Sequence, residues 1–125
     1  MAPELKIERI IWAALLVSIA IYGHVAFLVG RKNAGRPFGD ELRDPRVMIL
    51  YALCALTFPI AFVMRAWLRE RGAPRRLYNI IGWALFESIT IYGLVPALIL
   101  SDWRLIAAPA ALSISGFILT FPSEG

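Results

Sequence analysis

The chain has 125 residues, of which 59% are hydrophobic and 18% are charged, and its formal net charge is +4. This share of charged residues is too low to cover the surface of a water-soluble globule of this size. The composition therefore excludes a soluble domain and favours a small integral membrane protein. The basic residues flank the apolar stretches, where they would meet anionic headgroups, and do not indicate nucleic-acid binding. The only cysteine, Cys54, excludes an intrachain disulfide.

Four stretches are long and apolar enough to span a membrane, which requires about 20 residues each. In chain order they are residues 10–29, 47–67, 79–100 and 103–121. The first is predicted to be retained and not cleaved as a secretory signal, because it is a full span in length and no A-x-A site follows it. The sequence therefore predicts an all-α membrane protein of four transmembrane helices, with residues 1–125 forming a single domain.

The connections between the spans differ in charge. Residues 30–46 form a polar loop of mixed charge, whereas residues 65–76 carry five arginines against one glutamate. The third and fourth spans are joined by little more than Ser101-Asp102, so they are predicted to form an antiparallel hairpin. Of the 13 lysines and arginines, seven lie on the side of the N-terminus and the second loop. This small excess favours a topology in which both termini lie in the cytoplasm. The expected location is a bacterial inner membrane.

The first and third spans are related to each other in sequence. Residues 10–30 align without gaps on residues 80–100, with 11 of 21 positions identical and a shared core S-I-x-I-Y-G-x-V. This repeat predicts two duplicated antiparallel helix hairpins in parallel orientation. The repeat halves are about residues 8–68 and 78–121. Gly23 and Gly93 occupy equivalent positions, and we expect both to be helix–helix contacts, because glycine lets helices approach closely in a membrane.

Glu87 is the only acidic residue inside the four predicted spans, and it lies near the middle of the third. Its equivalent in the first copy of the repeat is Val17. An ionised carboxylate is costly in hydrocarbon, so an intramembrane glutamate is expected either to be paired or to bind a proton or another cation. Two interpretations follow: an ion-binding residue, or a structural carboxyl held by neighbours such as Thr90 or by an arginine of a partner chain.

The run FESITIYGLVPALIL, residues 86–100, resembles the carboxylate-bearing outer helix of the rotor-ring proteolipid, the c subunit of F- and V-type ATPases. In that family the glutamate is followed by a hydrophobic pattern, then I-Y-G-L-V and an A-L-I-L ending. Residues 47–100 are similar to the family's helix hairpin, whose basic turn is cytoplasmic. The resemblance implies that Glu87 binds the transported ion and neutralises it against a stator arginine.

The same resemblance implies a set of hydroxyl groups around the carboxyl. Sodium-binding rings of this family carry serine directly after the glutamate and tyrosine five positions after it, which correspond to Ser88 and Tyr92. With the neighbouring Thr90, these residues and Glu87 form the expected ion site. Hard cations need several oxygen ligands, so a proton is favoured over Na⁺, with Tyr92 as a hydrogen-bonding cover. The alternative for Tyr92 is a packing or interfacial tyrosine.

His24 is the only histidine, and it lies seven residues after Val17, on nearly the same face of the first span. Because histidine changes its charge near neutral pH, His24 is a candidate proton relay. The alternative is a packing or cavity-lining histidine. A single histidine cannot provide two haem ligands. We expect no cofactor, no metal site and no catalytic residue, and the protein is not predicted to be an enzyme.

Three classes of function remain open. The first is a c-subunit-like proteolipid whose intramembrane carboxylate binds a proton or Na⁺ for ion translocation. The second is a non-catalytic accessory or anchor subunit of a larger membrane complex. Residues 47–67 contain no glycine, unlike the tightly packed inner helices of rotor rings, which argues against tight closure of a ring. The third is a small proton-coupled transporter, although the small multidrug-resistance exporters carry their glutamate in the first helix. The expected partners are the lipid bilayer and other membrane subunits or further copies of the chain.

Overall fold

The structure, a computed structural model, describes residues 3–123. This part of the chain consists of five helices with connecting turns and contains no strand, so the all-α prediction is confirmed. In order the helices are α1 (Pro3–Val29), α2 (Phe38–Leu42), α3 (Pro45–Glu70), α4 (Arg75–Ile99) and α5 (Arg104–Leu119). The predicted domain also includes residues 1–2 and 124–125, which lie outside the described residues.

Three of these helices, α1, α3 and α4, have the length and the apolar composition needed to cross a membrane, as expected of an integral membrane protein. Helix α5 has only 16 residues, which rise about 24 Å and so fall short of about 30 Å of hydrocarbon. The prediction of four full-length spans is therefore confirmed for three. The fourth apolar stretch is shortened because Asp102 forms the turn before it and Pro122 cannot continue a helix after it.

Helix α1 begins earlier than the first predicted span. The helix runs from Pro3 through Lys6, Glu8 and Arg9 before the apolar residues start. Hydropathy marks the part of a helix that suits the bilayer, whereas the helix itself continues into the polar region. At its other end α1 stops at Val29, and α4 stops at the equivalent position of the repeat.

The turn between α3 and α4 depends on Gly72, whose φ of +77° lies in the left-handed region that favours glycine. The Gly72 N–H donates to the carbonyl of Arg69, and the Ala73 N–H donates to the carbonyl of Leu68. This pair of bonds is a Schellman motif, which closes a helix. Pro74 follows, and α4 begins directly after it. Helices α3 and α4 are therefore antiparallel neighbours.

The turn between α4 and α5 is built around the buried Asp102. Its Oδ1 accepts a hydrogen bond from the Arg104 N–H at 3.0 Å, and its Oδ2 pairs with the Arg104 guanidinium at 2.8 Å. The long polar loop is fastened to the same turn, because Asn33 Nδ2 donates to the Leu100 carbonyl at 2.6 Å. The loop predicted from sequence is thus ordered against the end of the bundle, and it contains the short helix α2.

Helix α4 is the centre of the bundle, because it packs against α1, α3 and α5. Helix α5 also contacts α1 and α3, whereas α1 and α3 do not contact each other. The four longer helices therefore form a rhombus with α4 and α5 on its short diagonal. A buried cluster around Phe86 and Phe117 fills one half of the bundle, and a cluster that contains Ala97 fills the other. Large apolar residues such as Val17 and Val63 face outward, as lipid contact requires.

Candidate functional site

Glu87 is hydrogen-bonded to the other copy of the repeat. The hydroxyl of Tyr22 on α1 donates to Glu87 Oε1 on α4 at 2.9 Å. The two helices run parallel, since Glu8 meets Asn79 while Ala26 lies in the cluster that contains Ala97. Side chains on a helix tilt toward its N-terminus, so Tyr22 reaches back along α1 to the level of the carboxyl.

The position of Tyr22 is set by apolar packing. Its ring is half-buried against the cluster that contains Ala26 and Ala97, which leaves the hydroxyl at the edge of the cluster, where it bonds Glu87. Buried tyrosine hydroxyls ordinarily find such a partner. On α4, Ala84 and Ile91 lie one turn to either side of Glu87, and both are exposed. The carboxyl is therefore at the boundary between the α1–α4 contact and the outer surface of the bundle.

Within residues 3–123, Tyr22 is the only residue that is hydrogen-bonded to the carboxyl of Glu87. The ion pairs of this part of the chain all involve other acids. The site thus consists of one carboxyl and one hydroxyl, with no cationic side chain of the described chain beside it.

The hydroxyls of Ser88 and Thr90 are engaged elsewhere. Ser88 Oγ donates to the Leu85 carbonyl of its own helix at 2.6 Å. Thr90 is fully buried against α5, where its hydroxyl donates to Ser113 Oγ at 2.7 Å. The structure therefore does not gather these two residues around Glu87. Ser88 instead forms a bond within α4, and Thr90 joins α4 to α5.

Tyr92 is also turned away from Glu87. With 3.6 residues per turn, five residues carry Tyr92 about 140° around α4 from the carboxyl. It is half-buried against the cluster around Phe86. The hydrogen-bonding cover that the sequence assigns to Tyr92 comes instead from Tyr22, its counterpart in the repeat. The tyrosine that occurs in both copies of the repeat was the feature of the sequence that could have indicated this contact. The periodicity of a single helix, however, cannot show whether Tyr22 or Tyr92 faces Glu87.

His24 lies on the outer face of α1 and is exposed. Two residues carry it about 200° around the helix from Tyr22, and within the described chain no hydrogen bond joins it to Tyr22 or to Glu87. The described residues alone therefore provide no relay from His24 to the carboxyl.

The two glycines of the repeat have different surroundings. A Cβ at Gly93 would lie 2.6 Å from Cβ and Cγ of Pro109 on α5, so Gly93 is a helix–helix contact within the chain. A Cβ at Gly23 would meet no atom within 4 Å. Gly23 therefore makes no close helix contact within the described chain.

A second polar cluster, which the sequence did not reveal, lies at the arginine-rich end of the bundle. Glu8 is only 3% exposed and forms an ion pair with Arg75 at 3.3 Å. Asn79 Nδ2 donates to Glu8 Oε1 at 3.3 Å, and Arg65 Nη2 donates to Asn79 Oδ1 at 2.7 Å. One feature of the sequence could have indicated this cluster: Asn79 lies at the start of an apolar span, where an unpaired amide is costly.

No group of three or more histidine, cysteine, aspartate or glutamate residues within residues 3–123 is arranged to hold a metal ion. Comparisons of the chain with protein-family models, with curated proteins and with solved structures find no match. The pair of Glu87 and Tyr22 is therefore the feature on which a functional interpretation depends.

Proposed function

We propose that the protein is a small membrane subunit in which Glu87 binds and releases a proton during ion translocation, as in c-subunit-like proteolipids. The observation that supports this is the 2.9 Å hydrogen bond from Tyr22 to a carboxyl that has no cationic partner among the described residues. An ionised carboxylate without a cationic partner is costly to place in hydrocarbon. Tyr22 then donates to the carbonyl oxygen of the acid, and the second oxygen carries the exchangeable proton.

Loss of that proton leaves a carboxylate with a single hydrogen bond, from Tyr22. One neutral donor stabilises a buried carboxylate poorly, so release of the proton requires a cationic group to approach Glu87. The exposed neighbours Ala84 and Ile91 place the carboxyl where a helix of another subunit can reach it from the membrane. A cation on that helix would replace the proton, in the manner that the resemblance to rotor-ring proteolipids implies.

A proton is favoured over Na⁺ as the bound ion. A hard cation takes several oxygen ligands, whereas within residues 3–123 the only hydrogen bond to the Glu87 carboxyl comes from the Tyr22 hydroxyl. The hydroxyls of Ser88 and Thr90, which would have to complete a sodium site, are bonded to other partners.

We also propose that the bundle is a duplicated hairpin with α5 as a shortened fourth span. The parallel course of α1 and α4 and their equivalent ends at Val29 and Ile99 support the duplication. In this arrangement the N-terminus and the arginine-rich turn share the cytoplasmic side, as the small charge bias favours.

One observation favours the second candidate function, an accessory or anchor subunit. His24 is exposed on α1 between the exposed apolar residues Ile21 and Val25. An imidazole facing lipid is costly, so polar residues inside spans usually face protein or water. A helix of a partner subunit that covers this face of α1 would provide His24 with a hydrogen bond.

The two candidates are separated by Glu87→Gln, examined in the same preparation for carbodiimide labelling and for assembly. The amide keeps the shape of the neutral acid and an oxygen that accepts from Tyr22. If Glu87 is a proton site, a hydrophobic carbodiimide labels the natural chain at this residue, and the variant is unlabelled but assembles normally. If Glu87 is instead paired with a cation of a partner, the natural chain resists labelling and the variant loses assembly.

A further inference from the structure

A basic cavity of about 200 Å³ lies at the end of the bundle where α3 turns into α4. It is lined by side chains of α3 and α4 and by the last described residues of the chain: Arg65, Arg69, Arg75, Tyr78, Asn79 and residues 119–123. None of these lining residues is acidic. Since a water molecule occupies about 30 Å³, the cavity has room for a polyatomic anion.

The positive charge of this cavity is only partly compensated within the described chain. Arg75 is paired with Glu8 at 3.3 Å. Arg65 is not paired with a carboxylate: it donates to the Asn79 amide oxygen at 2.7 Å, and its buried Nε has no hydrogen-bond partner. Arg69 likewise has no carboxylate within 4 Å in residues 3–123. Among the described residues, one carboxylate therefore balances the charge of three guanidinium groups.

Arg65 is held in place before any ligand arrives. Its aliphatic chain lies directly across Gly82, where a Cβ would overlap it. Its guanidinium carbon is 5.8 Å from the centroid of the Tyr78 ring. A guanidinium fixed on three sides loses little further conformational freedom when it binds an anion, and this favours affinity.

A second cavity of about 150 Å³ adjoins the basic one. It shares Arg65, Arg69 and Tyr78 and adds Phe62 and Ala66. Phe62, Ala66 and Arg69 are spaced by four and three residues, so they lie on one face of α3. The combined space runs from the arginines toward the apolar middle of the helix, as a ligand with a charged head and a hydrocarbon tail would need.

We propose that this basic cavity binds a phosphate-bearing anion, and that the apolar residues Phe62 and Ala66 of the adjoining cavity favour the phosphate of an anionic lipid over free phosphate. Guanidinium groups bind phosphate oxygens through two parallel hydrogen bonds. Basic pockets at the ends of membrane helices are suited to lipid headgroups. This site is independent of Glu87, which lies near the middle of α4.

The test measures the unfolding temperature of the full-length chain in a neutral detergent during titration with short-chain phosphatidic acid. Inorganic phosphate and an uncharged diacylglycerol of the same chain length are titrated in parallel. A ligand that binds only the folded protein raises the unfolding temperature with concentration. Arg69→Gln is compared with Arg76→Gln, because both remove one positive charge from the same segment but Arg76 is exposed and lines neither cavity.

In the natural chain and in Arg76→Gln, the unfolding temperature is expected to rise by similar amounts with the concentration of phosphatidic acid and not to change with diacylglycerol. In Arg69→Gln about tenfold or more phosphatidic acid is needed for the same rise, the effect of losing a charge-assisted hydrogen bond. If inorganic phosphate stabilises the natural chain as strongly as phosphatidic acid does, and Arg69→Gln loses this effect, the phosphate site is supported but a lipid is not its preferred ligand. No rise in the unfolding temperature with phosphatidic acid, or a rise that is equally weakened in both variants, would overturn the proposal. The unfolding temperature without ligand shows that each variant is folded.

Discussion

Tyr22 and Glu87 are hydrogen-bonded at 2.9 Å although 65 residues separate them in the chain. The bond joins the two repeat-related helices at positions that are not equivalent, since Glu87 corresponds to Val17 and Tyr22 corresponds to Tyr92. One copy of the repeat therefore supplies the acid and the other supplies the hydroxyl. The asymmetry gives the bundle a single carboxyl near the middle of its central helix.

The two tyrosines of the repeat are matched controls for this bond. Tyr22→Phe keeps the packing of the ring but removes the donor to Glu87, so it is expected to lower the free energy of unfolding by about 0.5–1.5 kcal/mol. Tyr92→Phe is expected to cost less than about 0.5 kcal/mol, because no hydrogen bond from Tyr92 to Glu87 is lost. Denaturant unfolding in detergent micelles measures both variants. Equal losses in the two would argue against a distinct role for Tyr22.

The two glycines of the repeat are expected to respond in opposite ways to a methyl group. Gly93→Ala forces apart α4 and the Pro109 ring, 2.6 Å from the new Cβ, at a cost of about 1–3 kcal/mol. Gly23→Ala meets no atom within 4 Å, and alanine is the better helix former by about 1 kcal/mol, so stability is expected to stay level or rise. Thermal unfolding of the two purified variants measures the difference. A tolerated Gly93→Ala would contradict the close contact of α4 with α5.

The polar end of the bundle predicts a pH dependence of stability. Burial, together with a hydrogen bond to Asp102, raises the pKa of Glu41 from 4.5 to about 7. Burial of Asp102 opposes its ionisation, but its bonds to Arg104 outweigh this and hold the pKa of Asp102 below its usual range. Between pH 4.5 and about 7, folded Glu41 retains a proton that the unfolded chain has released. The free energy of unfolding is therefore expected to fall as the pH rises through this window.

Glu41→Gln provides the control for that dependence, because the amide cannot titrate but can still donate a hydrogen bond to Asp102. Unfolding temperatures of the natural chain and of the variant are compared from pH 4.5 to above pH 7. The difference in unfolding temperature between the two proteins is expected to change between pH 4.5 and about 7 and to stay constant above that range. Parallel curves would show that Glu41 does not carry the effect.

The proposed orientation, with both termini in the cytoplasm, predicts which loops react from outside the cell. In a Cys54→Ala background, Gly35→Cys in the mixed-charge loop is expected to react with a membrane-impermeant maleimide on intact cells. Ala73→Cys, in the arginine-rich turn, is expected to react only after the cells are made permeable. Both sites are on connections, and a Cβ at Gly35 meets no atom within 4 Å. The reverse pattern would invert the topology.

The sequence predicted the helices better than it predicted their contacts. The predicted spans 10–29 and 79–100 end within one residue of the ends of α1 and α4 at Val29 and Ile99, because apolar content and turn residues are local signals. The sequence repeat shows that the two helices are related. It could not place Tyr22 against Glu87, since that contact depends on how two helices 65 residues apart are rotated and shifted against each other. For the same reason the burial of Glu8 beside Asn79 was missed. Hydropathy also overestimated α5, because apolar residues can extend beyond the ends of a helix.

The rate at which a hydrophobic carbodiimide modifies Glu87, measured as a function of pH, tests whether this residue is a proton-binding carboxyl. Peptide mass spectrometry maps the modification among the nine acidic residues of the chain. Because the reagent partitions into the membrane and attacks the protonated acid, we expect modification at Glu87 alone, at a rate that falls as the pH rises. A folded chain in which Glu87 stays unmodified at every pH, or is modified no faster than exposed acids such as Asp40, would contradict it.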